Sequence, residues 1–155
     1  FIGYTIFYLC KKNIAVALPG ISSEFGYSMT ELGILGSSLY LTYGIGKFIN
    51  GVLADGSDVR KFLPLALIMT ALANIAFALT PSVVGLFGLD PKLSAMILLW
   101  ALTCLWGVSG WFQSAGFPAV AKSLTYWYSN SERGTKWSLW SCSHQTGTFL
   151  SFIIA

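Results

Sequence analysis

Acidic side chains are missing from the interior of every long apolar stretch of this chain, which holds six Asp and Glu against nine Lys and Arg in 155 residues. Charged residues of both signs reach only 10%, far below the roughly 25% of an average soluble domain, and this excludes an ordinary water-soluble globule. Cysteine is scarce too. Cys10, Cys104 and Cys142 lie in separate apolar segments with neither C-x-x-C nor Cys/His ligand spacing. No disulfide framework or zinc set can be read from them, and each is expected to act as a small buried packing residue. Paired carboxylates, a metal-ligand cluster and a G-x-S-x-G turn are also lacking. The chain is therefore not read as an enzyme, and no catalytic residue, cofactor or metal is expected.

What is present is apolar. Hydrophobic residues make up 55% of the chain, the composition of an all-α polytopic membrane protein embedded in a lipid bilayer. Five spans emerge from the charge-free cores and the turn signals between them, at about 1–18, 31–54, 62–80, 93–118 and 136–155. The first is expected to stop at Pro19-Gly20 and the third at Pro81. Ser28-Met29-Thr30-Glu31 has the form of a capping box at the start of the second. Both ends of the chain lie inside apolar runs, so it is expected to be a partial N-terminal transmembrane domain whose C-terminal half is absent.

Loop charge sets the orientation. Arg60, Lys61, Lys122, Arg133 and Lys136 follow the second and fourth spans, whereas only Lys92 follows the first and third. The positive-inside rule then puts the N-terminus in the cytoplasm. Topology and three intramembrane lysines account for almost all of the basic excess, so no nucleic-acid partner is implied.

Cations inside the spans carry the functional signal. Lys11 and Lys12 interrupt the first span, Lys47 the second, and His144 lies in the last. An ionised side chain near the bilayer centre costs on the order of 3 kcal/mol even on lenient scales, so such residues mark a pathway or a ligand. Helical spacing lines Tyr4 and Tyr8 up with Lys11, Tyr40 or Tyr43 with Lys47, and Trp137, Trp140 or Ser141 with His144 and Thr148. Lys47 is about 9 Å from the cytoplasmic end of its helix and Lys11 roughly 13 Å from the outer end, which leaves snorkelling open for Lys47. Lys12, about 100° around the helix from Lys11, is expected to face elsewhere. Buried positive charge asks for an anion. A phosphomonoester, with about −1.5 to −2 charges and three acceptor oxygens, accepts two ammonium groups together with Tyr and His donors.

Gly51-Val52-Leu53-Ala54-Asp55 followed by Arg60-Lys61 resembles the motif joining the second and third helices of the major facilitator superfamily, with Gly56 where a basic residue is usual. Gly51, Asp55, Arg60 and Lys61 would form a conformational latch there. Further strings, Tyr8 to Asn13, Tyr43 to Phe48, Gly110-Trp111-Phe112-Gln113 and Tyr126 through His144, are similar to the organophosphate:phosphate antiporter family. That resemblance implies about five of twelve transmembrane helices in a bacterial inner-membrane transporter that exchanges a sugar phosphate or glycerol 3-phosphate for inorganic phosphate by alternating access. An alternative within the family is a sensor of external hexose phosphate that signals to a partner kinase. By the same resemblance Lys11, Lys47, His144, Tyr4, Tyr8, Tyr43 and Trp111 line the substrate path. Lys11 stands where the family normally has Arg, so a point charge replaces a planar fork. Small residues at Gly33, Gly36, Gly44, Gly46, Gly107, Gly110 and Gly116 are expected to permit close helix packing.

Overall fold

A computed structural model describes residues 1–154 of the chain, and these form helices joined by short turns. The helices are α1 (Ile2–Phe25), α2 (Met29–Gly56), α3 (Val59–Leu86), α4 (Pro91–Ser114), α5 (Gly116–Trp127) and α6 (Asn130–Ile154). Five rods result, because α4 and α5 are one span interrupted at Ala115. Pro118 explains the break. It has no N–H to offer the Ser114 carbonyl and its ring crowds that turn, so the hydrogen-bond ladder slips by one residue.

The expected stops at Pro19 and Pro81 are corrected. Both prolines lie inside helices, α1 running on to Phe25 and α3 to Leu86. Leaving a helix in an apolar medium strands several backbone groups, whereas a proline strands one carbonyl, so continuation is cheaper. The first helix ends instead at Gly26, whose left-handed φ of 68° suits a residue without Cβ. At the other end of the same turn Ser28 and Glu31 form the reciprocal capping box. The Ser28 hydroxyl and amide donate to the Glu31 carboxylate at 2.7 and 2.8 Å. Those two bonds hold that carboxyl below its usual pKa. The last helix begins six residues before the expected Lys136, and Ser129 Oγ donates to Glu132 at 2.9 Å in a related cap.

Two packed groups make the bundle. Leu35 and Leu39 of α2 interlock with Leu98, Leu102 and Trp106 of α4, and α3 covers the other side of α4. In the second group α1 lies along α6, with Tyr4, Phe7, Leu124 and Trp140 in one cluster. Close approach depends on missing side chains at particular points. A Cβ on Gly110 would sit 2.5 Å from the Leu39 carbonyl oxygen, and one on Gly147 would meet the Thr5 carbonyl and Tyr8. Gly33, Gly36 and Gly44 face open space and serve no such contact in this chain.

Ile68, Leu72, Ile75 and Leu79 of α3 form an exposed apolar stripe. Val59–Leu86 and the run Pro91–Trp127 are long and apolar enough to cross a membrane. The other rods carry the lysines and the histidine of the site. Cys104 and Cys142 prove exposed and only Cys10 is partly buried, so the cysteines do not share the packing role expected of them.

Candidate functional site

Tyr43 of α2 is the centre of the cationic site. Lys11 Nζ from α1 lies 3.8 Å from its ring centroid, and Lys47 Nζ, one turn further along α2, lies 5.0 Å from the same centroid. The ring's negative faces attract both ammonium groups, a cation–π arrangement that offsets part of their desolvation. Lys11 is also 5.4 Å from Tyr40 and 5.7 Å from Tyr8. Each of its neighbouring aromatics thus stabilises charge without neutralising it, and among the described residues no carboxylate is paired with either lysine.

His144 joins from α6. Its ring centroid is 4.9 Å from that of Tyr4, 4.6 Å from Tyr8 and 4.6 Å from Trp140, all edge to face. Nδ1 lies 2.8 Å from the Ser141 carbonyl oxygen, to which it donates, leaving Nε2 for another partner. Helical period on α1 delivers Tyr4, Tyr8 and Lys11 to one face, and the close approach at Gly147 brings α6 against it.

Lys12 faces away from the Lys11 pocket, as the helical phase predicts, and lines a separate open cavity of about 510 Å³ with Tyr8, Ser141, His144 and Gln145. Three ammonium groups therefore surround the Tyr8, Tyr43 and His144 rings. Trp111 lies outside this ring set: it packs on Gly46, and its carbonyl accepts from Asn50 Nδ2 at 3.1 Å. Phe117 takes the position facing Lys47, at 5.0 Å.

Two side chains of the site were given no site role in the sequence reading. Phe117 reaches Lys47 only because the chain bends at Ala115. Gln113, buried to 3% exposure, lines a small space with Tyr4, Tyr8, Lys11 and Tyr43, and its Oε1 accepts no hydrogen bond. Its Nε2 donates to Ser109 Oγ at 2.9 Å, which also accepts from Asn74 Nδ2 at 3.1 Å. An amide in an otherwise apolar run was the available signal.

The α2–α3 turn is arranged around carbonyls. Asp55 exposes its side chain, while Asp58 Oδ1 caps α3 by accepting from the Arg60 amide at 2.9 Å. Arg60 and Lys61 are exposed, and the Arg60 guanidinium lies 5.7 Å from the Trp127 ring centroid. Lys122 of α5 donates to the carbonyls of Ala54, Asp55 and Ser57 at 2.8, 2.9 and 2.9 Å. Gly51 is partly buried within α2.

An exposed apolar stripe on α3, one break inside a span and several polar side chains buried among apolar ones fit a helical integral membrane bundle. The chain belongs to the Major Facilitator Superfamily, whose profile matches residues 1–155. It is 44% identical over 147 residues to a probable hexose phosphate transport protein of Chlamydia trachomatis, covering 95% of this chain and 29% of that protein. Identity to the membrane sensor protein UhpC of Escherichia coli is 35% over 153 residues, 99% of this chain and 31% of the sensor. Against the hexose-6-phosphate:phosphate antiporter of Escherichia coli it is 33% over 147 residues, 95% of this chain and 29% of the antiporter. The chain thus spans less than a third of the length of these relatives. No solved structure matches it.

Proposed function

We propose that the chain is the N-terminal part of a secondary transporter that exchanges a phosphorylated metabolite for inorganic phosphate by alternating access. The observation that carries this reading is the pair of ammonium groups, Lys11 and Lys47, on one tyrosine ring without an acidic partner. A divalent phosphomonoester neutralises both and leaves oxygen lone pairs for the Tyr4, Tyr8 and Tyr43 hydroxyls and for His144. Trp111 then acts as the wall behind Lys47 rather than as a direct contact. Gly51, Asp55, Arg60 and Lys61 act at the turn between α2 and α3 as a latch that engages in one state and releases in the other. The membrane is the bacterial inner membrane, with the N-terminus cytoplasmic as the loop lysines and arginines require.

Similarity to an antiporter and to a sensor supports two uses of one site. In the sensor reading, external hexose phosphate binds and the protein signals to a kinase without moving its ligand. Full-length protein in vesicles loaded with inorganic phosphate separates these. Uptake of labelled glucose 6-phosphate against phosphate efflux is the expected result. Binding without exchange would support the sensor, and a failure to bind would sink both.

A further inference from the structure

At the end of the bundle where α2, α3, α5 and α6 meet, four basic residues divide into two groups, with Lys61 exposed beside Arg60. Lys122 spends its charge on three carbonyls at the end of α2, and Arg133 Nη2 donates to the Thr125 and Tyr128 carbonyls at 3.0 and 3.2 Å. Both are helix caps. Arg60 and Lys136 are not used in this way. Each lies over an aromatic ring, Arg60 at 5.7 Å from Trp127 and Lys136 at 5.2 Å from Tyr128. Of the nearby carboxylates, Asp58 is committed to the α3 cap and Glu132 to Ser129, while Asp55 is exposed.

Two cavities meet at Ser123 and Trp127. One, of about 290 Å³, has Arg60, Asp58 and Tyr126 among its lining residues. The other, of about 360 Å³, has Lys136 and Tyr128 at one edge and an apolar floor of Leu63, Val120, Leu124 and Leu139. Trp127 and Leu139 are 62% and 59% exposed, so this floor opens onto the outer surface of the bundle. A groove with cations and aromatics at its mouth and aliphatic side chains along its length matches one ligand class: charge at one end, hydrocarbon at the other.

We propose that this groove between α3, α5 and α6 is a binding site for an anionic glycerophospholipid, its phosphate held by Arg60 and Lys136 where the two cavities meet and an acyl chain laid along Leu63, Val120, Leu124 and Leu139. The arrangement does not rest on the transport reading, although it shares Arg60 with the proposed latch. It needs only that the protein is embedded in a bilayer; on α5 the groove residues Val120 and Leu124 lie on the same side as Phe117, one and two turns further along. Charge selects the lipid: anionic surfaces attract each nearby Lys or Arg, while a zwitterionic headgroup offers no net attraction.

Full-length protein in detergent supplemented with phosphatidylglycerol or phosphatidylcholine provides the test, read by thermal midpoint and by native mass spectrometry of retained lipid. Wild type and a Lys92→Gln control at the far end are expected to retain phosphatidylglycerol at least fivefold over phosphatidylcholine and to gain several degrees from it. Arg60→Gln/Lys136→Gln is expected to keep its midpoint in phosphatidylcholine and to lose the preference. Should the double variant fail to fold, Lys136→Gln alone must lower the preference at least twofold. An unchanged preference in the variants overturns the proposal. So does an absence of preference in wild type, as expected if another segment of the full-length protein fills the groove.

Discussion

Lys11 Nζ lies 3.8 Å from the centre of the Tyr43 ring, nearer than any other cation to an aromatic ring among the described residues. A cation–π contact is worth about 0.5–2 kcal/mol, the upper part of that range applying where water is excluded. Tyr43→Leu in the full-length protein should therefore weaken phosphate binding by about 2- to 30-fold, whereas Tyr43→Phe should keep most of the affinity because the ring remains. Equal loss in both variants, measured by exchange in vesicles, would assign the effect to the hydroxyl instead.

Lys11→Ala removes the ammonium itself. A hydrogen bond to a charged group contributes about 1.5–3 kcal/mol, so phosphate affinity should fall by about 10- to 150-fold. Lys92→Ala, in the first turn of α4, should leave it unaltered. Lys12→Ala is expected to fall between the two, since Lys12 shares its cavity with His144. Labelled phosphate binding to purified protein ranks the three.

The packing of α2 on α4 can be tested one residue apart from the site. A methyl group at Gly110 meets the Leu39 carbonyl and, at 3.0 Å, the Leu39 Cα, both backbone atoms that cannot swing aside. Gly110→Ala should cost about 1–3 kcal/mol, the usual range for overpacking. Gly44→Ala, facing open space, should not destabilise. Thermal unfolding in detergent distinguishes them, and comparable losses would mean that the two helices are not held at this distance.

Acid sensitivity should arise at the capping box. Bonds from the Ser28 hydroxyl and amide lower the folded pKa of Glu31 below its unfolded value. The contribution is then complete above the unfolded pKa and disappears as pH falls through the folded one. Glu31→Gln should flatten this part of the stability profile. A profile with the same slope in both proteins would exclude the cap as its source.

Local features were legible in the sequence and tertiary ones were not. The capping box needs only Ser28 and Glu31, and the Tyr4, Tyr8, Lys11 stripe needs only the helical period. Choosing between Tyr40 and Tyr43 was a different problem, because both lie on the right side of α2 and only its rotation against α1 brings Tyr43 between two lysines. Phe117 was invisible for a related reason: its direction depends on the break at Ala115. Pro19 and Pro81 misled because their usual effect in water is reversed where leaving the helix has no solvent to receive it. Lys12 was set aside on helical phase alone, yet α6 supplies a second polar surface on the side it faces.

Lys122 caps α2 from α5, and Arg133 caps α5 from α6. Together they stitch three rods, α2, the α4–α5 run and α6, in series at one end, each cation serving as a rivet through another helix's last carbonyls. A tilt imposed on α2 at Lys47 would be handed to α5 and then to α6, where His144 stands about 16 Å along the helix from Arg133. Ligand seated between Lys11 and Lys47 would then pull on both walls of its own chamber at once.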